Sequence, residues 1–367
     1  MNESQYEPMS HGSFDEEWGI HPKSSEWWSV TGILRDQEDN LYSYRYTLLR
    51  GRLGVLHPTF ALISLTDYRN QLHYALQLPV GSLRSVRITD REVSVGSHAS
   101  AVKGKNAMRI SLRHREFSLD VLADYGRGAV WQGSGGLVQA GVSDGEKAHC
   151  YSYPNMPSGA VLRLQGRTLQ LHGSSWFDRQ WGSFSPLDPS RHWDRFTLRF
   201  FDGEEMMLLT FPQSSTFDGT YIRSDGSYER MHLYSCRAVK TVHTGRKTWS
   251  ALWEISVPHK EGAYTLEPVQ KGHMSFGCFE TLCSIRNASG TAVGWCLTEQ
   301  LPGVRRGGAG RAQRPRKRGR THPASRRQDA QVVPHELAPV PLGSPERRLE
   351  RTRLRNGRPA DGRDRIR

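Results

Sequence analysis

Cysteine is scarce: five residues in a chain of 367 (Cys150, Cys236, Cys278, Cys283 and Cys296), an odd number with no Cys-x-x-Cys pair. That usage excludes a disulfide framework and predicts buried free thiols in a reducing compartment. No apolar run approaches the length of a membrane helix, so no transmembrane segment is expected. The opening "MNESQYEPMSHGSFDEEWGIHP" has neither a basic start nor an apolar stretch, which argues against a signal peptide. A cytoplasmic location is expected, with association at a membrane surface as the alternative. Nucleotide chemistry lacks its motif, since "GRGAVWQGSGG" (126–136) has no Gly-Lys-Ser/Thr ending, and "HGSSW" is no nucleophile elbow. The fifteen histidines are scattered without metal-ligand spacing, so neither a metal nor another cofactor is expected.

Charge of one sign is in surplus only at one place. The formal net charge of +13 suggests nucleic acid, but from Arg305 onward there are 19 Lys+Arg against 6 Asp+Glu, which is the whole surplus. Residues 1–304 carry 31 of each sign and are neutral. The last stretch, beginning "RRGGAGRAQRPRKRGRTHPASRRQ", contains no Phe, Trp or Tyr. It cannot bury enough apolar surface to offset its ordering entropy, and residues 305–367 are predicted to be a disordered Arg-rich tail. Such a tail could hold nucleic acid or an anionic surface by charge alone; the competing reading is a solvated tail with no partner.

No persuasive helical period runs along the body, whereas period two is everywhere. "LYSYRYTLL" puts Tyr42, Tyr44, Tyr46 and Leu48 on one face, and "QLHYALQL" does the same with Leu72, Tyr74, Leu76 and Leu78. "RFTLRF" alternates Phe196, Leu198 and Phe200; "WSALWEISV" alternates Trp249, Ala251, Trp253, Ile255 and Val257. Turn formers punctuate these runs at "QEDN", "FDGEE", "SDGS" and "HTGRK". The pattern predicts an all-β protein of antiparallel sheets, closed or nearly closed into barrels. "SFSPLDPSRH" (183–192) interrupts it and suggests a boundary. The expected organisation is an N-terminal segment 1–19, a first β-domain 20–186, a second 191–304, and the tail.

Against this background "HGSSWFDRQWGSF" (172–184) stands out, because it sets a carboxylate among aromatic rings between glycines. Upstream, "HPKSSEWWSVTGIL" places Glu26, Trp27 and Trp28 at the first strand, and "HCYSYP" supplies Tyr151, Ser152 and Tyr153. Downstream, "GCFETLCSIRNASGTAVGWCLTEQ" carries Glu280, Gly294, Trp295 and Glu299. With Gly173, Trp176, Asp178, Trp181 and Gly182 in the middle, these marks fall in one order from Glu26 to Glu299. In that order the sequence resembles the lipocalin-like family of carotenoid 1,2-hydratase (hydroxyneurosporene synthase) and AttH. Ser29 and Arg179 depart from the family's usual Tyr and His.

The resemblance implies two consecutive lipocalin-like (calycin) antiparallel β-barrels. It also implies a cofactor-independent lyase-type enzyme, a hydratase or cyclase, acting on a hydrophobic isoprenoid or polyketide. The alternative is a non-catalytic binding protein for an apolar small molecule. Relatives carry a last strand after the late Glu, so residues beyond about 304 are expected to replace or follow a native end of the barrel. On the enzymatic reading Asp178 is the acid, desolvated by Trp176, Phe177 and Trp181, and it protonates an isolated alkene. Trp27, Trp28, Tyr153, Trp176 and Trp181 then line the substrate pocket, while Glu26, His172, Arg179, Glu280 and Glu299 position water or serve the frame. On the structural reading Asp178 pairs with Arg179, or accepts backbone N–H bonds at a barrel corner, and stays an acceptor.

Overall fold

A computed structural model of the chain describes residues 12–80, 85–141, 145–184, 192–212, 216–244, 247–275 and 278–301. The basic tail 305–367 and the centre of the Pro-rich boundary, 185–191, lie outside the described residues, as do positions 245 and 246 of the "HTGRK" turn. Period two becomes strand throughout. The helical element among the described residues is a single short 3-10 turn, Glu16–Trp18.

The first sheet opens with a meander of β1 (Ser25–Arg35), β2 (Leu41–Arg50), β3 (Thr59–Asp67) and β4 (Leu72–Val80). A second run follows, with β5 (Val86–Ile88), β6 (Glu92–Val95), β7 (Ala99–Lys103), β8 (Ala107–Arg113) and β9 (Phe117–Asp124). The short β10 (Val130–Trp131) and β11 (Leu137–Gln139) pair with the long β12 (Lys147–Leu164), which turns back into β13 (Arg167–Gly182). That turn has Gln165 and Gly166 at φ 51° and 77°, the two positive values that a two-residue hairpin matched to strand twist requires. The order is β4-β3-β2-β1-β13-β12-β9-β8-β7-β6-β5, so the motif-bearing β13 sits centrally, between β1 and β12.

The second sheet contains β14 (Trp193–Phe200), β15 (Glu205–Phe211), β16 (Thr216–Ile222), β17 (Tyr228–Arg230) and β18 (Ser235–Thr244). It continues with β19 (Lys247–Ser256), β20 (Tyr264–Pro268), β21 (His273–Ser275), β22 (Cys278–Arg286) and β23 (Ala292–Leu301). Its order is β17-β16-β15-β14-β23-β22-β20-β19-β18, with β21 on β22. In neither sheet do the described end strands pair with each other, so the expected all-β pair of antiparallel barrels takes the form of two curled half-barrels, nearly closed rather than closed.

Each curl has its own core. Trp18, Trp28, Tyr42, Tyr44, Tyr46, Leu48 and Phe177 fill the first, and Phe196, Leu198, Phe200, Trp253 and Ile285 the second. A third cluster of Val130, Cys150, Trp176, Met207, Phe211 and Ile222 lies between the sheets. Each fully buried Leu or Phe among these contributes about 1.5–3 kcal/mol before entropy is subtracted. Two glycines make the close approaches possible. Gly32 faces Tyr44 across the β1–β2 ladder, and a Cβ there would lie 2.0 Å from the Tyr44 ring. At Gly173 a Cβ would lie 2.2 Å from the Ile33 carbonyl oxygen, so β13 can draw against β1 only with glycine at that position.

Candidate functional site

Alternation along β13 divides its motif between two faces. Phe177, Arg179 and Trp181 point into the first curl, in rows with Val30, Trp28 and Glu26 of β1 and Tyr153, Tyr151 and His149 of β12. Trp176, Asp178 and Gln180 point the other way, toward the second sheet, in rows with Thr31, Ser29 and Trp27. The residues expected to share one pocket therefore belong to two separate environments.

On the inner face the centre is Arg179, fully buried. Its Nη2 donates to Glu26 Oε2 at 2.6 Å and to the Gly19 carbonyl at 2.5 Å; Nη1 donates to the Gln180 carbonyl at 2.9 Å and Nε to the Trp18 carbonyl at 3.2 Å. The guanidinium carbon lies 3.9 Å from the Trp28 ring centroid. Burial alone would raise the Glu26 carboxyl, but His21 and Arg179 hold it below its ordinary value, and Arg50 Nη1 donates to its second oxygen at 2.8 Å. All three guanidinium nitrogens of Arg179 and both carboxylate oxygens of Glu26 have partners, so this face ties the Glu16–Trp18 turn to the sheet. Trp181 stacks between His21 and His149, at centroid distances of 4.4 and 5.3 Å.

On the outer face Asp178 is buried and accepts at both oxygens. Ser152 Oγ and Trp176 Nε1 donate to Oδ1 at 2.5 and 2.8 Å, and Arg195 Nη2 donates to Oδ2 at 2.5 Å. Ser152 itself accepts from Gln132 Nε2 at 2.9 Å, which fixes its hydroxyl as the donor to Asp178. The Asp178–Arg179 pair of the structural reading does not form, because neighbours in a strand face opposite ways; the partner is Arg195 of β14. Phe177 and Trp181 do not desolvate Asp178 either, for the same reason. His172 is exposed, in the row of Arg35 and away from Asp178.

Arg195 begins a chain of buried ions across the sheets. Its Nη1 donates to Glu299 Oε2 at 2.7 Å; Arg45 Nη2 donates to Glu299 Oε1 at 2.5 Å; and Arg45 Nη1 lies 2.5 Å from Glu280 Oε1. Three carboxylates thus share two guanidiniums. Glu280 and Glu299 are directly opposite on β22 and β23, an arrangement that penalises two negative charges. Burial would raise both, but Arg45 and Arg195 overcome it at Glu299 and bring that carboxyl down to about 2. At Glu280 burial, reinforced by the Glu299 charge, outweighs Arg45, and its carboxyl is raised. The surplus carboxyl of the chain therefore keeps a proton most readily.

Glu280 and Arg45 line a cavity of about 30 Å³ between the sheets, together with Tyr44, His73, Arg199 and His273. That is room for about two waters or one small polar head. His73 of β4 and His273 of β21 stack face to face across the sheets, with centroids 3.7 Å apart and planes within 5°. Burial and the neighbouring His273 pull His73 down to about 4, and burial lowers His273 as well. Among the described residues no group of three or more His, Cys, Asp or Glu is disposed to hold a metal ion.

Of the residues singled out in the sequence, Asp178, Trp176, Glu280 and Glu299 converge on the inter-sheet side, and the half-buried Trp27 lies on the same face of the first sheet against Phe184. Glu26, Trp28, Tyr153, Arg179 and Trp181 lie inside the first curl. The sequence reading missed Arg45, Arg195, Arg199, His73 and His273. A signal was present in "WDRFTLRF", where arginines at 195 and 199 alternate with the core residues Phe196, Leu198 and Phe200.

Two curled antiparallel sheets, each with its own core and joined through a polar cavity, define a lipocalin-like β-protein. The sequence profile of the AttH-like family matches residues 5–295. The chain belongs to the AttH-like family. No curated protein sequence matches it. Among solved structures it is similar to an AttH protein of Nitrosomonas europaea, at 19% identity and a TM-score of 0.70, covering 82% of this chain and 99% of that one. It is also similar to kievitone hydratase of Nectria haematococca, at 19% identity and a TM-score of 0.64, covering 81% and 94%. At these identities the likeness is one of fold. No helix among the described residues is long and apolar enough to cross a membrane.

Proposed function

We propose that this protein is a lyase-type enzyme that adds water across a carbon–carbon double bond of a hydrophobic isoprenoid or polyketide, with the reacting end held in the inter-sheet cavity. The observation that carries this reading is the pair Glu280 and Glu299, two opposed carboxyls on one Arg45, of which Glu280 is raised and faces the cavity. A neutral carboxylic acid at neutral pH is the group that alkene protonation needs. Glu280 gives its proton to the less substituted carbon of the double bond, which leaves a tertiary carbocation on the other; water forms the C–O bond there; and a proton of that water returns to Glu280. The balance is alkene plus water to alcohol, and Arg45 stabilises the transient Glu280 carboxylate. Asp178, with all its contacts from donors, serves in this reading to fix Arg195 and through it Glu299, so the acid role passes from Asp178 to Glu280. The shared fold with a hydratase supports the reaction class by analogy.

The carrier reading has no comparable support, since Trp18, Trp28, Tyr46 and Phe177 fill the first curl where an apolar ligand would lie. The cavity holds one small polar or reacting group, so the apolar remainder of a substrate lies outside it. The test is incubation of the full chain and of Glu280→Gln with acyclic carotenoids, geraniol and geranic acid, with products followed by mass. Gain of one water by the wild type and its loss in the variant is expected. Undiminished hydration by Glu280→Gln would refute the assignment, and binding without turnover by the wild type would make the protein a carrier.

A further inference from the structure

Arg199 on β14 sits in the same cavity and is 7% exposed. The three other buried arginines named above each meet a carboxylate within 2.7 Å: Arg45 and Arg195 on Glu299, Arg179 on Glu26. Arg199 meets none at ion-pair distance among the described residues. Its Nη1 donates to the Ser174 carbonyl at 3.0 Å and to Ser174 Oγ at 3.1 Å, its Nη2 reaches Thr31 Oγ1 at 3.4 Å, and its Nε has no partner. The carboxylate opposite it in the ladder, Glu205, is drawn instead to Arg127, which is itself anchored by the carbonyls of Gly203, Arg223 and Ser224. The Trp176 ring, 5.7 Å from the guanidinium, gives it a face but no anion.

A buried guanidinium with no carboxylate at ion-pair distance is costly, and burial, only partly opposed by the Glu205 charge, pulls its affinity for the proton down to about 10. Its surroundings are short of partners in the same way, because His73 Nε2, Gln270 Oε1 and Thr281 Oγ1 are also unpartnered and line the same cavity. A planar donor fork that lacks its acceptor matches a carboxylate in charge and geometry, and the cavity is of the size of a carboxylate head.

We propose that Arg199 is the binding residue for a ligand carboxylate, and that the site takes an unsaturated acid in preference to the neutral alcohol or hydrocarbon of the same skeleton. The inference rests on the cavity being the substrate site and narrows its substrate class to a ligand whose acid group sits on Arg199. Arg45 and Glu280, which also face the cavity, lie 2.5 Å from each other, and the other cation on its lining, Lys271, is exposed, so among the described lining residues Arg199 is the buried cation with no carboxylate at ion-pair distance.

The test is calorimetric titration of the full-length chain at neutral pH with geranic acid and with geraniol, which share one apolar skeleton. Hydrogen bonds to a charged group predict that the acid binds roughly tenfold to a hundredfold more tightly. Arg199→Met should bind the two alike, and Arg199→Lys should keep part of the preference; with no carboxylate to strand, the Met variant is expected to fold. Equal affinity of the wild type for both compounds, no binding of geranic acid, or an unchanged preference in folded Arg199→Met would overturn the proposal. Glu280→Gln should keep the preference for the acid. A wild type that prefers the acid yet hydrates nothing would sink the catalytic reading and leave this one standing.

Discussion

Replacing Arg195 by Met tests whether the inter-sheet ions hold the two halves of the molecule together. Arg195 is buried and donates at 2.5 Å to Asp178 and at 2.7 Å to Glu299. Methionine fills a similar volume but leaves Asp178 with Ser152 and Trp176 alone, and Glu299 with Arg45 alone. Stranding one partner of a buried pair costs about 3–5 kcal/mol. At roughly 2–4 °C per kcal/mol, that is a fall in Tm of roughly 6–20 °C by calorimetry at neutral pH. The loss depends on pH with a definite sign. Glu299 is brought from 4.5 down to about 2, so its stabilisation is full above about 4.5 and disappears as pH falls through about 2. The gap between wild type and variant should therefore be widest above pH 4.5 and narrow on acidification. Arg199→Met is the internal control, because that arginine leaves no carboxylate stranded, and its Tm should stay level or rise. Equal losses for the two variants would refute the reasoning.

Glu280→Gln should cost less than Glu299→Gln, because the Glu280 carboxyl is held above its ordinary value by burial and the Glu299 charge and meets Arg45 alone, whereas Glu299 is held low by both Arg45 and Arg195, which without it keep only Glu280 and Asp178; urea unfolding at neutral pH separates the two. Gly32→Ala forces the Tyr44 ring off its seat and breaks its 2.6 Å contact with Ser175. Overpacking of that kind predicts a loss of about 1–3 kcal/mol, read from the same unfolding curves. His73 falls from 6.5 to about 4 on folding, so its neutral form contributes stability that is full above about 6.5 and is lost as pH drops through about 4. NMR titration should show the His73 ring unprotonated down to about 4, and a ring that titrates near 6.5 would contradict the stacked geometry.

Much of the fold was legible without coordinates. The alternation of Tyr42, Tyr44, Tyr46 and Leu48, or of Phe196, Leu198 and Phe200, required strands with one apolar face, and these residues line the two curls. The central motif also contained more than was read from it. Period two already separates Trp176 and Asp178 from Phe177, Arg179 and Trp181, so the pairing of Asp178 with Arg179 was excluded by parity. What parity leaves open is the identity of whatever covers each face. Closure of the sheets was likewise beyond local pattern, since it depends on whether β4 meets β5 and β17 meets β18 at the far ends of long ladders.

The sequence by itself determined the strand periodicity, the hairpins at Gly166, Gly203 and Gly226, the free cysteines and the family marks from Glu26 to Glu299. These are local properties, fixed by side-chain alternation and by backbone conformations that particular residues permit. Only the tertiary structure decided that both faces of β13 are buried, that Arg195 joins Asp178 to Glu299 and Arg45 joins Glu299 to Glu280, and that Arg199 has no carboxylate at ion-pair distance among the described residues. Those facts arise where the outer face of one sheet packs on the other. A charge that reads as solvent-facing in its own strand acquires its partner, its desolvation and its chemistry from residues more than a hundred positions away.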